Sequence, residues 1–170
     1  MRRPRLALAA CLAALAWPAW GQYANADRPD WQEDAVPPPP AYSTQGLIEL
    51  EMPRGASVRI GLDPKTLTIN HETGIVRYVV VARGPSAVNA SYEGIRCATG
   101  EYRVYARQVQ GGAWSTASDS AWKPMRGQNH IMVQYPYKLA KDGVCQGTGT
   151  RQTVREIVRE LQTGGQSAYQ

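Results

Sequence analysis

The chain has 170 residues, with 19 lysines and arginines against 14 aspartates and glutamates. This length is sufficient for one domain with a hydrophobic core. The basic residues are scattered, and three of them lie in the first five residues; without those three, 16 basic residues would face 14 acidic ones. Composition therefore excludes the clustered basic face that is typical of nucleic-acid-binding proteins.

Residues 1–21 have the pattern of a cleavable secretory signal. Arginines precede an uncharged, Ala/Leu-rich stretch at residues 6–17, and small residues, Ala19 and Gly21, occupy the positions that signal peptidase requires. The apolar stretch is too short to span a bilayer stably, and no later stretch approaches that length. The sequence predicts cleavage before Gln22, a mature protein in the periplasm and no membrane span.

A lipid anchor is the alternative for this N-terminus. Residues 8–11, Leu-Ala-Ala-Cys, match a bacterial lipobox and would place a lipid on Cys11. The apolar segment before Cys11 would then be only residues 6–10, which is shorter than the roughly 7 residues that a signal core needs. We therefore favour cleavage before Gln22 over an outer-membrane lipoprotein that is anchored through Cys11.

Residues 22–45 are predicted to form a proline-rich extended arm. Four consecutive prolines at residues 37–40 favour polyproline II conformation, which makes the segment stiff. We expect Trp31, a large apolar residue, to attach the arm to the domain. A proline-rich ligand for the groove of a partner is the alternative interpretation.

Residues 46–162 are predicted to form a single β-rich domain. Alternating or continuous apolar residues predict strands at residues 46–52, 57–62, 66–70, 75–82, 87–97, 101–109 and 130–137. The run at residues 75–82 is almost entirely apolar, so this strand should be central and buried on both faces. It should form an antiparallel meander with the two strands that follow it.

A C-terminal helix completes the predicted fold. Thr153 and Glu156 have the spacing of a capping box, apolar residues follow at helical spacing, and Gly164 ends the pattern. Residues 163–170 are predicted to be a flexible tail. The fold class is α+β: an antiparallel sheet of about six or seven strands with one amphipathic helix.

Cys97 and Cys145 are predicted to form one disulfide. They are the two cysteines that remain after signal cleavage, and an even pair in an oxidising compartment indicates a structural bridge. Closing this loop stabilises the fold by about 4 kcal/mol on the chain-entropy model. A redox or nucleophilic thiol is the alternative, but there is no Cys-x-x-Cys motif and no histidine close in sequence to either cysteine.

A cross-strand ion pair is predicted between Arg77 and Glu93. A three-residue loop between their two strands would place these residues directly opposite each other. An opposite-charge pair in this position contributes about 0.2–1 kcal/mol to the stability of a sheet.

The sequence has no recognisable catalytic or metal-binding motif. The two histidines, His71 and His130, are isolated, and no Gly-x-Ser-x-Gly, Gly-x-Gly-x-x-Gly or P-loop sequence is present. Glutamates occur on neighbouring predicted strands, but nothing in the sequence places two of them in one cleft. We therefore predict no catalytic residue, no metal site and no cofactor.

One stretch resembles a known family. An Arg77-Tyr78 strand is followed by Asn-Ala-Ser-Tyr-Glu-Gly-Ile-Arg-Cys at residues 89–97, then by Tyr105-Ala106 and two tryptophans. Over about residues 30 to 147 the chain resembles the cryptic-neisserial-protein-like family of exported bacterial proteins. The resemblance implies export and a shared fold, and it implies no activity.

The same stretch supplies the candidate binding surface, which consists of Tyr92, Glu93, Arg96, Trp114 and Trp122. Aromatic residues with arginine suit sugars, peptides or protein partners, although a purely architectural role is the alternative. The first functional hypothesis is a non-catalytic module that binds an envelope component or a protein partner. The others are a small envelope hydrolase that uses Glu93 with a second carboxylate, and a structural or assembly protein.

Overall fold

A computed structural model describes residues 30–52, 54–127 and 134–164. The predicted signal, Cys11 and the cleavage site before Gln22 lie outside the described residues. His130 and most of the predicted tail also lie outside them.

The core of the molecule is an antiparallel sheet of seven strands, which confirms the predicted fold class. The strands are β1 (Ile48–Leu50), β2 (Arg59–Asn70), β3 (Ile75–Arg83), β4 (Val88–Arg96), β5 (Glu101–Val109), β6 (Ser115–Thr116) and β7 (Lys123–Pro124). Strands β1 to β6 pair in chain order, and β7 also pairs with β5. Residues 75–81 of β3 are all buried, as the continuous apolar run predicts.

Strand β2 joins two strands that the sequence analysis separates at Asp63-Pro64. The register with β3 shifts between Asp63 and Thr68, which marks an irregularity in one continuous strand. Pro64 cannot donate a backbone hydrogen bond. The hydroxyl of Thr66 bridges the irregularity, because it donates to the carbonyl of Asp63 at 2.7 Å and accepts from the backbone N–H of Val79 at 2.8 Å.

The predicted ion pair between Arg77 and Glu93 is wrong. Arg77 lies opposite Gly94, and Glu93 lies opposite Tyr78. The connection between β3 and β4 has four residues, 84–87, and not the three that the prediction assumed. A register shift of one residue turns side chains to the other face of a sheet, so Arg77 and Glu93 are on opposite faces.

Three helical segments and a small hairpin cover one face of the sheet. They are α1 (Tyr135–Leu139), a π-helical turn (Ala140–Val144), β8 (Cys145–Gln146), β9 (Gly149–Thr150) and α2 (Val154–Gln162). Leu139, Val144 and Ile157 are buried here against the sheet core. A disulfide joins Cys97, at the end of β4, to Cys145 of β8, which confirms the predicted bridge.

Helix α2 has the predicted capping box. The side chain of Thr153 accepts from the backbone N–H of Glu156 at 3.2 Å, and the Glu156 carboxylate accepts from the backbone N–H of Thr153 at 3.1 Å. These two hydrogen bonds satisfy donors that would otherwise lack partners at the start of the helix.

The last part of the predicted strand at residues 130–137 is helical. Tyr135 and Pro136 begin α1, and residues 130–133 lie outside the described part of the chain. Proline suits the first turn of a helix because its missing N–H would be unpaired there anyway. Tyr135 and Tyr137, the last alternating residues of the predicted strand, therefore lie in a helix whose start is set by Pro136.

Within residues 30–52, 54–127 and 134–164, no helix is long and apolar enough to cross a bilayer.

Candidate functional site

The face of the sheet opposite the helices carries the arm, and a charged cluster lies at its centre. Arg77 projects from β3 with only 4% of its side chain exposed. Its Nη2 atom contacts two arm carboxylates, Glu33 Oε1 at 3.1 Å and Asp34 Oδ1 at 2.6 Å. A buried arginine in a central strand is therefore neutralised by residues more than 40 positions earlier in the chain.

Four side chains donate hydrogen bonds to the carboxylate of Glu33. Oε1 accepts from Arg77 Nη2 at 3.1 Å and from the Tyr105 hydroxyl at 2.5 Å. Oε2 accepts from Arg103 Nη1 at 2.6 Å and from Trp122 Nε1 at 3.1 Å. We call these four donors and their acceptor the Glu33 cluster. Hydrogen bonds to an ionised group are shorter and stronger than neutral ones, so the cluster is a specific carboxylate-binding arrangement.

Gly94 makes room for Tyr105 in this cluster. A Cβ atom at position 94 would lie 2.5 Å from the Tyr105 hydroxyl oxygen and 3.0 Å from its Cε2. The pairing of β4 with β5 is irregular beside Tyr92 and Glu93, where β5 has one extra residue. The glycine and the irregularity together let the Tyr105 ring lie over β4 and direct its hydroxyl to Glu33.

Trp31 attaches the arm beside the same cluster. The guanidinium carbon of Arg96 lies 3.7 Å from the centroid of its ring, and the ring of Trp122 meets it edge-on with centroids 6.1 Å apart. Trp31 Nε1 also donates to the carbonyl of Thr73 at 3.0 Å. Stacked arginine and edge-on aromatic contacts are favourable geometries for an indole.

The arm continues to a second contact further along the same face. Tyr42 packs edge-on against Trp114 with centroids 5.9 Å apart, and its hydroxyl donates to Gln108. The backbone N–H of Ser43 donates to Asp63 Oδ2 at 2.7 Å. Trp114 thus contacts the end of the arm and takes no part in the Glu33 cluster.

The electrostatics keep the carboxyl group of Asp34 in the arm ionised. The hydrogen bond from Arg77 holds the pKa of Asp34 below its ordinary value, against the opposing effect of burial. Burial, together with the hydrogen bond to Glu33, raises the pKa of Tyr105, so this phenol remains a hydrogen-bond donor. The site therefore pairs fixed donors with fixed negative charge.

Glu93 lies on the opposite face, away from the other residues of the predicted surface. Its side chain is 1% exposed, and its Oε1 accepts from Ser91 Oγ at 2.6 Å and from the hydroxyl of Tyr135. Burial raises its pKa. Glu93 borders a cavity of about 270 Å³, and it is the one carboxyl group among the described residues that line this cavity.

The structure thus brings together Tyr92, Arg96 and Trp122 near the Glu33 cluster and separates Glu93 from them. Tyr92 is buried and its ring lies 5.3 Å from that of Tyr105. His71 is exposed in the turn after β2. Within the described ranges, no group of three or more histidine, cysteine or acidic residues could hold a metal ion.

The sequence pattern did not indicate the principal residues of the cluster, Glu33, Arg103 and Tyr105. One signal was available: Arg77 interrupts the most apolar of the predicted strands, and a buried arginine needs a carboxylate partner. The acidic residues of the arm were the partners, but nothing in the local pattern directs the arm to this face.

A model of the CNP1-like family matches residues 26–162. No curated protein sequence and no solved structure matches the chain. The family match covers most of the chain, including the arm residues that enter the Glu33 cluster. The chain therefore belongs to the CNP1-like family.

Proposed function

We propose that this protein is an exported, non-catalytic binding module of the bacterial cell envelope that recognises acidic segments of a protein partner. The site is the Glu33 cluster with its neighbour Arg96. The observation that carries the proposal is the convergence of four side-chain donors on one carboxylate.

The arm residues that occupy the site indicate which chemical groups the site binds. Trp31 and Glu33 are two residues apart in an extended segment, so their side chains project to the same side. The indole lies between Arg96 and Trp122, and the carboxylate meets the four donors. A partner with an aromatic residue followed two positions later by a carboxylate would present the same groups. The site thus favours a short extended peptide over a sugar.

The attachment of the hydrogen-bond donors to strands of the sheet favours recognition of a ligand. Arg77 lies on β3, and Arg103 and Tyr105 lie on β5, the two long strands that flank β4, so their positions are set by the ladder and not by a loop. Donors held in place before binding lose less conformational entropy when a ligand arrives. Arginine is also suited to this role, because its planar fork of donors matches a carboxylate.

A hydrolase that uses Glu93 has less support. Paired-carboxylate hydrolysis needs a second carboxyl group within about 10 Å, across the bond to be cleaved. Hydroxyl groups, Ser91 and Tyr135, contact Glu93 in the structure, and the described lining of its cavity contains no second carboxyl group. An assembly role would use the same cluster, with the arm of one copy bound to the sheet of another.

A competition experiment tests the proposal. A synthetic peptide of residues 28–36 is titrated into the full mature protein and into a Glu33→Gln/Asp34→Asn variant, and binding is followed by calorimetry. The attached arm competes at an effective concentration in the millimolar range. We expect the variant, whose own arm is weakened, to bind the peptide at least about tenfold more tightly than the wild type.

The control variant is Asp30→Asn/Glu72→Gln, which removes the same charge from two exposed positions. It should bind the peptide no better than the wild type. Two results would contradict the proposal: no binding by the folded Glu33→Gln/Asp34→Asn variant, or equal binding of a peptide with both acidic residues changed to amides. Light scattering of the same samples detects exchange of arms between copies, which would support the assembly role.

A further inference from the structure

The cavity beside Glu93 has aliphatic walls. It lies on the helix-bearing face of the sheet, away from the Glu33 cluster, and has a volume of about 270 Å³. Ile60, Val80 and Val104 line it from three strands. Val109 also lines it and is 61% exposed, so the apolar wall continues to the molecular surface. Binding sites for small molecules are typically apolar cavities with a few polar groups at defined positions.

The polar groups of the cavity are on neighbouring strands. Ser91 of β4 lies directly opposite Arg107 of β5, and Glu93 is the next residue along the same face of β4. Ser91 and Tyr135 both donate to Glu93 Oε1. Glu93 Oε2 is buried and makes no hydrogen bond of ordinary geometry among the described residues, and neither does the buried hydroxyl of Tyr78, which lies opposite Glu93 on β3 and acts on its pKa. A buried polar atom without a partner is rare in native proteins and points to a missing one, such as a ligand.

The charges at this end of the cavity favour an anion. Burial raises the pKa of Glu93, so a proton on this carboxyl group is held more tightly than it would be in solvent. The guanidinium of Arg107 is the positive group in the described lining. Its partner, Asp119 at 2.9 Å, is about half exposed, and exposed pairs contribute little stability, so Arg107 is able to contact a ligand.

We propose that this cavity binds a small aliphatic monocarboxylate, whose head group lies between Arg107 and Glu93 and whose chain lies along Val80, Val104 and Val109. The size of the ligand follows from the volume. A 150 Å³ apolar cavity accommodates benzene, so 270 Å³ corresponds to roughly ten non-hydrogen atoms. Octanoate is a suitable probe.

The test is titration of octanoate into the full mature protein, followed by amide chemical shifts in nuclear magnetic resonance spectra. We expect saturable shifts at Val80, Ser91 and Val109. Octylamine has the same chain and the opposite charge, and it should bind at least about tenfold more weakly, as should octanoate to an Arg107→Gln variant. A Glu93→Gln variant places an uncharged amide of similar shape at this position and should retain octanoate binding.

A cavity-filling variant separates this site from other apolar surfaces. Ala82 lines the cavity, so Ala82→Leu should abolish binding, whereas the matched change at exposed Ala121 should have no effect. Absence of saturable shifts in the wild type would overturn the proposal. Equal binding of octylamine, or unchanged binding by the Ala82→Leu variant, would also overturn it. If Ala82→Leu does not fold, the location of the chemical-shift changes in the wild type decides whether octanoate binds in this cavity.

Discussion

Replacement of Gly94 by alanine tests the structure of the Glu33 cluster most directly. The new Cβ atom would lie 2.5 Å from the hydroxyl oxygen of Tyr105, 3.0 Å from its Cε2 and 3.1 Å from its Cζ. Contacts below 3.0 Å do not persist, so the Tyr105 ring must move. The ring cannot move freely, because it packs against Tyr92 and meets Trp122 edge-on. The hydroxyl must therefore leave Glu33.

The expected cost has two contributions. Insertion of a methyl group into a packed region typically costs about 1–3 kcal/mol. Loss of a hydrogen bond to a charged group costs about 1.5–3 kcal/mol. Together they predict that Gly94→Ala lowers the free energy of unfolding by about 2.5–6 kcal/mol, a large part of the 5–15 kcal/mol typical of a domain.

Urea unfolding followed by circular dichroism measures this cost. Gly84→Ala is the matched control, because its new Cβ would make only ordinary contacts, the nearest at 3.6 Å. The control should change the free energy of unfolding by less than about 1 kcal/mol. In a Tyr105→Ala background, Gly94→Ala should also cost less than about 1 kcal/mol, because the clashing atoms are gone. Equal costs for Gly94→Ala with and without Tyr105 would refute the reasoning.

Three further predictions concern other parts of the fold. The raised pKa of Glu93 means that the native state binds the proton of this carboxyl group more tightly than the unfolded state does. The protonated carboxyl group therefore contributes its full stabilisation below the ordinary pKa of 4.5, and this stabilisation is lost as the pH rises through the raised pKa. Unfolding of Glu93→Gln and wild type between pH 4 and pH 8 should show a growing advantage for the variant, and a constant difference would contradict this. Replacement of both Cys97 and Cys145 by serine should lower the free energy of unfolding by about 4 kcal/mol in urea titrations, because the bridge no longer closes the 48-residue separation in the unfolded chain. A loss below about 1 kcal/mol would contradict the explanation that the bridge restricts the unfolded chain. Thr153→Ala should cost about 1 kcal/mol by thermal unfolding and Thr153→Ser much less, since serine keeps the capping oxygen; equal losses would mean that the cap is not the cause.

Much of the sheet could be predicted because each strand carries its own local pattern. The continuous apolar run of β3 predicts burial on both faces, and residues 75–81 are all buried. The alternation in β5 likewise predicts a strand. Prediction was less successful where a difference of one residue in the length of a connection decides the strand register. The four-residue connection after β3 shifts the register by one, and this shift moved Arg77 away from Glu93.

The candidate site was less predictable than the sheet, because its residues are far apart in sequence. Glu33 meets Tyr105 across 72 positions and Trp122 across 89. A pattern of alternating residues reports only on neighbours along the chain, so it cannot identify such partners.

The sequence by itself determined the antiparallel meander, the capped C-terminal helix and the Cys97–Cys145 bridge, because hydrophobic period, capping residues and an even pair of cysteines are local or compositional signals. Only the tertiary structure decided that Arg77 faces the arm and that Glu93 faces the helices. Strand register depends on the backbone of one connection, and the place of the arm depends on which buried charge needs a partner.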